Sequence, residues 1–277
     1  MIKAATQLKA KVRNLSGGDS QKAQTLIRNF MMERFLERIV LSQYRNSFIL
    51  KGGMLVAAIV GLDTRATMDI DTTVKSLTLS KDNVIKIVED IIAVEIPDGV
   101  QFRIAKVTDI MEEHDYPGIR VMLEATLDKL RQAVKIDIST GDIITPGAME
   151  YSYSLMFEDR SISMWTYNLE TLLAEKLETI MARGTANTRM RDFYDIYTIS
   201  RQEGFNKEVL KSAFFATSTK RNTTEQIPDL INIIVAVASE DTMALQWENF
   251  QKESFFVGEL SWNDVIESVK VLALSVS

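Results

Sequence analysis

The segment "LDTRATMDIDTTV", residues 62–74, sets Asp69 and Asp71 one residue apart in a run that reads as a β-strand. Successive strand side chains point to opposite faces, so both carboxylates share one face, about 7 Å apart. Like charges that close repel, and Asp is a poor strand former, so the pair is costly unless a cation lies between. Magnesium suits such a place, since it takes one or two carboxylates together with water and the phosphate oxygens of a substrate. An acidic edge strand that discourages pairing with other chains is the competing account.

A third carboxylate weighs against that account. "AVKIDIST" alternates, with Val134, Ile136 and Ile138 on one face and Lys135, Asp137 and Ser139 on the other. If this strand neighbours "DIDTTV", Asp137 joins Asp69 and Asp71. Three clustered carboxylates need cations, two metals can clamp an in-line phosphoryl displacement, and the third carboxylate suits general-base work on an attacking hydroxyl. Upstream, "FILKGGM" ends a strand in Gly52-Gly53 before a helix, where the backbone can turn tightly and aim free N–H groups at an anion. A plain turn is the commoner use of two glycines.

Further along, "NLETLLAEKLETIMAR" places Lys176 on the same helical stripe as Leu169, Leu173 and Ile180. An unpaired ammonium there is costly, so Lys176 either snorkels to the rim or reaches a phosphate. In the next helix, "MRDFYDIYTIS", Asp192 and Asp195 lie at the margin of the apolar arc, and Lys176 and Arg183 are the cations that could pair with them.

These residues need elements to hold them. Helical spacing covers residues 20–45, then come the short "FILK" strand, the apolar "MLVAAIVGL" helix, the "DIDTTV" strand and an amphipathic helix capped by Ser80. The segments "VQFRIAKVTDI", "IRVMLEATL", "AVKIDIST" and "YSYSLMF" are β-rich, and from Asn168 onward helices are expected at 169–183, 190–202, 206–217, 226–238 and 262–274. The expected fold is α+β, with a mixed α/β domain at 1–165 followed by an all-helical domain at 166–277.

With 277 residues, 46% of them hydrophobic, the chain can bury a sizeable core. It has no cysteine, which rules out disulfides and thiolate metal sites and fits a cytoplasmic protein. The single histidine, His114, excludes multi-histidine metal centres and reads as a solvated loop residue. No apolar run approaches a membrane span, and the start has no apolar stretch like that of a signal peptide. A net charge of −6 argues against a surface that attracts nucleic acid everywhere, though not against a local basic patch.

The ordered set "LKGG", Arg65-x-Thr67-x-Asp69-x-Asp71, "KIDIS" and "AEKLETIMARG…RDFYDIY" resembles the AbiEii/AbiGii toxin-type nucleotidyltransferases. These belong to the DNA polymerase β-like nucleotidyltransferase superfamily and include MenT-type toxins. The resemblance implies a toxin–antitoxin component that moves NMP from an NTP to an acceptor such as tRNA, using Mg2+ or Mn2+. It implies that Asp69 and Asp71 bind the metal with Asp137. Lys51, Gly52, Gly53, Arg65 and Thr67 would line the nucleotide, with Lys176 on its phosphates. Asp192 or Asp195 would complete the site from the helical half. One departure is Met54, where the superfamily often has Thr or Ser after the glycines. A cognate antitoxin is the expected protein partner. Transfer to a protein or small molecule, or NTP binding without chemistry, are the alternatives. Arg183, Arg189 and Arg191, around "GTANT", are the basic residues expected to face an RNA acceptor.

Overall fold

The computed structural model describes residues 1–111, 117–202 and 204–277, so His114 lies outside the described residues. The chain divides into two compact units. The first comprises residues 1–59, 66–142 and 149–166, and the second comprises 60–65, 143–148 and 167–277.

The first unit contains α1 (Ala5–Ser16), α2 (Ser20–Leu41), β1 (Phe48–Lys51), α3 (Gly52–Val60), β2 (Asp69–Val74), α4 (Lys81–Ile92), β3 (Val100–Met111), β4 (Pro117–Leu127), β5 (Leu130–Thr140), β6 (Met149–Ser154) and β7 (Ser161–Thr166). The seven strands form one mixed sheet in the order β3-β4-β5-β2-β1-β7-β6. β2 runs parallel to β5 and antiparallel to β1. Alternation in β5 drives this placement: Val134, Ile136 and Ile138 are buried, while Lys135 and Asp137 between them are not fully so. Ile70 of β2 and Val121 of β4 share the buried face, against which α2 contributes Phe30, Phe35 and Leu36 and α4 contributes Val84, Val88 and Ile91. A buried charge network also ties α2 to the β6–β7 hairpin. Arg34 pairs with Glu37 and Glu158, and Arg160 forks onto Glu37.

The second unit is helical: α5 (Leu169–Arg183), α6 (Met190–Ile199), α7 (Lys207–Lys220), α8 (Leu230–Ser239), α9 (Asp241–Glu253) and α10 (Trp262–Leu274). Side-chain caps start three of them, with Asn168 accepting from Thr171 N at 2.8 Å, Asn206 from Glu208 N at 2.9 Å and Ser261 from Asp264 N at 3.2 Å. Phe193 and Ile196 of α6, Leu173 and Leu177 of α5, and Val265 and Val269 of α10 form its core. Tyr194 stands among Trp247, Phe250 and Phe256 and donates its hydroxyl to Thr64 O at 2.6 Å, fixing the short 60–65 segment within this unit.

The α+β class holds, with a mixed α/β unit around the sheet and a helical unit. Three elements escape a reading of the sequence. α1 buries only a narrow stripe, Leu8 and Val12 with the small Ala5 and Ser16. β7, "SISMWT", mixes hydroxyls with apolar residues, and α9 buries only Met243 and Trp247. α3 starts at Gly52 rather than after the glycines. Among the described residues no helix is long and apolar enough to cross a membrane.

Candidate metal and nucleotide site

Strand register assembles the acidic cluster in the first unit. Asp69 pairs with Lys135 and Asp71 with Asp137 across β2–β5, Lys51 faces Asp71 across β1–β2, and Arg120 faces Asp137 across β4–β5. Residues opposite one another in register share a face, so these side chains crowd one patch. Asp69, Asp71 and Asp137 each bring an oxygen within 4.8 Å of the others, the one such group of three possible metal ligands among the described residues.

Each carboxylate is held differently. Thr67 donates its hydroxyl to Asp69 Oδ1 at 3.2 Å, and Lys135 Nζ lies 2.5 Å from Asp69 Oδ2. Arg120 takes both oxygens of Asp137 at 2.7 Å each. The Asp71 carboxylate has neither a hydrogen bond nor an ion pair among the described residues. Its carboxylate lies against Gly52, the first residue of α3, where a Cβ would overlap it. Gly52 also has φ +63°, a conformation that L side chains rarely adopt, so glycine is required here twice over. Burial and the neighbouring Asp69 charge push the Asp71 carboxyl up to about 6, against an opposing pull from Lys51. Lys51 itself pairs with Asp142 at 2.5 Å, and Ser139 donates to the same Asp142 oxygen at 3.0 Å. The first N–H groups of α3 have no acceptor within the helix, so this end favours anions. Met54 in the first turn of α3 is fully buried in the core.

A different cluster forms in the second unit. Asp192 and Asp195, three apart on α6, present both carboxylates to Lys176 of α5. The Lys176 ammonium lies 2.9 Å from Asp192 and 2.7 Å from Asp195. Arg65 forks onto Asp195 at 2.6 and 3.2 Å, and Arg189 reaches Asp192 at 3.3 Å. Burial disfavours the charged Lys176, but the two aspartates outweigh it and raise its pKa above the usual value. Burial likewise disfavours the Asp195 carboxylate, yet Arg65 and Lys176 hold it below the usual value. Lys176 and Arg65 are thus engaged inside the helical unit. Of the loop arginines, Arg189 is spoken for by Asp192, and Arg183 and Arg191 are not without partners either.

Reading the sequence alone misses Lys135, Arg120 and Asp142 as members of the acidic patch. Lys135 is detectable, since period two puts it on the Asp137 face. Arg120 and Asp142 depend on strand register and on a loop, which no local pattern encodes.

The model of the family described as "Nucleotidyl transferase AbiEii toxin, Type IV TA system" matches residues 34–268, well over half of the chain. The chain belongs to the AbiEii family. A comparison with curated proteins gives no match. Two solved structures from Helicobacter pylori share the fold. One, described as a candidate nucleotidyltransferase, has a TM-score of 0.54 at 17% identity, covering 91% of this chain and 94% of that one. The other, JHP933, has a TM-score of 0.54 at 16% identity, covering 91% of each chain. As an AbiEii member the protein is a nucleotidyltransferase of a toxin–antitoxin family, which implies an NTP substrate and an antitoxin counterpart. The AbiEii match takes in both charge clusters and leaves out residues 1–33.

Proposed function

We propose that the protein transfers NMP from an NTP to an acceptor hydroxyl, with tRNA as acceptor and Mg2+ or Mn2+ at Asp69, Asp71 and Asp137, as a toxin acting in the cytoplasm. The observation that carries this reading is Asp71, a half-buried carboxylate at the mouth of a glycine turn, raised to about 6 and left without an ion-pair partner beside two other carboxylates. The all-oxygen donor set fits a hard divalent cation, and the missing Cβ at Gly52 leaves Asp71 its place. Bound there, such an ion would neutralise the triphosphate and the departing pyrophosphate.

The chain's own residues do the rest. Thr67 holds Asp69 in orientation, and Lys51 with the Gly52–Gly53 end of α3 receives the triphosphate. The acceptor oxygen bonds to the α-phosphorus, the bridging bond to the β-phosphate breaks, and pyrophosphate leaves with that electron pair. The hydroxyl proton passes to a carboxylate of the triad. We assign Lys176, Asp192, Asp195 and Arg65 to cohesion of the helical unit, because each is buried as well as engaged there, unlike Lys51.

Incubating the protein with each α-labelled NTP, Mg2+ and total RNA tests this reading. Label entering an RNA band, and none in EDTA, is expected. Label entering the protein itself or a small molecule would replace the RNA acceptor, and no transfer with any NTP would overturn the proposal.

A further inference from the structure

Charge is unevenly spread along the chain. Residues 1–32 contain six Lys and Arg against one Asp, a balance of +5 in a chain of −6, so the other 245 residues stand at −11. This basic stretch also lies outside the residues matched by the family model. It folds as α1 and the first half of α2, two helices packed together through a turn at Gly17 and Gly18. The apolar residues of α1 are consumed inward, with Leu8 and Val12 buried, while Lys9, Lys11 and Arg13 stand on its exposed face. Lys9 and Arg13 have no acidic partner among the described residues, and Lys11 lies 5.7 Å above the Phe157 ring. On α2, Arg28 Nη1 reaches Met68 Sδ at 2.7 Å, and Met68 directly precedes Asp69. The basic hairpin therefore extends to within one residue of the metal carboxylates.

We propose that this α1–α2 face binds the phosphate backbone of a nucleic-acid acceptor and leads it toward Asp69 and Asp71. The proposal rests on the nucleotidyl-transfer reading above for its acceptor. Charge complementarity selects the occupant, since unpaired cations on an otherwise acidic protein attract a polyanion and release its counterions. An anionic membrane would need an apolar face to insert, and α1 has turned its own inward, leaving Leu15 as its one large apolar residue in solvent. A protein partner would need a cluster of aromatic or aliphatic anchors, where the exposed face of α1 offers Leu15 alone.

The test uses the full-length protein in EDTA without NTP, with labelled total tRNA followed by fluorescence anisotropy across a KCl series. Lys9→Gln with Arg13→Gln should weaken binding about tenfold and make the log–log salt slope shallower by roughly 1.4–1.8, the loss of two phosphate contacts. A control pair, Lys207→Gln with Lys252→Gln, removes the same charge elsewhere and should leave the slope unchanged. Mn2+ affinity of both variants should match wild type, so a failed docking face is distinguishable from a failed metal site. An unchanged slope in the α1 variant, or an equal change in the control pair, would overturn the proposal. So would RNA binding that survives while binding to phosphatidylserine vesicles is lost.

Discussion

Asp71 and Asp195 are both aspartates set among charged neighbours, yet their proton affinities move in opposite directions. In the first unit, burial and Asp69 push Asp71 up to about 6. In the second, Arg65 and Lys176 overcome burial and hold Asp195 below the usual value. The difference is whether cations meet every carboxylate. The helical cluster sets Arg189, Lys176 and Arg65 against two carboxylates and closes on itself. The sheet cluster commits Lys135 to Asp69 and Arg120 to Asp137, leaving Asp71 over. A cluster in which every carboxylate is met by a cation holds helices together, whereas one with a carboxylate left over has room for a metal ion.

The largest expected effect breaks the open cluster. Asp69→Asn or Asp71→Asn should lower NMP transfer by about a thousandfold, roughly 4 kcal/mol of transition-state stabilisation, while circular dichroism stays native. Wild-type rates in both variants would remove the metal assignment. Next comes the closed cluster. Lys176→Met removes the one ammonium that both buried carboxylates share and should cost about 3 kcal/mol in urea denaturation. A variant of native stability with NTP affinity down tenfold or more would instead place Lys176 on the nucleotide, as the resemblance implies.

pH sharpens the contrast further. A raised carboxyl pKa gives stability that is fully present below the usual 3.8 and lost as pH rises through about 6. A lowered one, as at Asp195, gives stability present above 3.8 and lost as pH falls. In EDTA, Asp71→Asn should therefore exceed wild type by about 3 kcal/mol at pH 8, with the gap closing below about pH 4. A constant gap across that range would mean that Asp71 does not hold its proton as the geometry requires. The smallest effect concerns the counterion of Asp69. Lys135→Met removes a competitor for the metal, and Mn2+ affinity measured by calorimetry should rise by about three- to tenfold. A fall would assign Lys135 to supporting the bound ion instead.

Much of this contrast is visible in the sequence, though unevenly. Asp69 and Asp71 on one strand face follow from period two, and the Lys176 stripe with Asp192 and Asp195 follows from helical spacing. These are local properties of residue type and spacing. Which cation answers which carboxylate is not local. Lys135 sits beside Asp69 because β2 and β5 pair in a particular register, and Arg120 meets Asp137 because β4 pairs with β5. Gly52 reads as a turn glycine, but its need to admit the Asp71 carboxylate arises only when β1 and β2 lie side by side. α1 escapes notice because a two-residue apolar stripe among lysines is a weak period, and its charge gains meaning only once its exposed face is known.

On the function proposed above, the sheet cluster with its uncovered Asp71, rather than the closed helical cluster, is the cation site. Titrating Mn2+ into the protein and counting free ion by electron paramagnetic resonance tests it directly, with wild type, Asp71→Asn and Asp192→Asn side by side. Wild type and Asp192→Asn should bind Mn2+ with matching affinity, and Asp71→Asn should lose that binding. Retained binding in Asp71→Asn, or its loss in Asp192→Asn with the fold intact, would rule out the sheet cluster as the cation site.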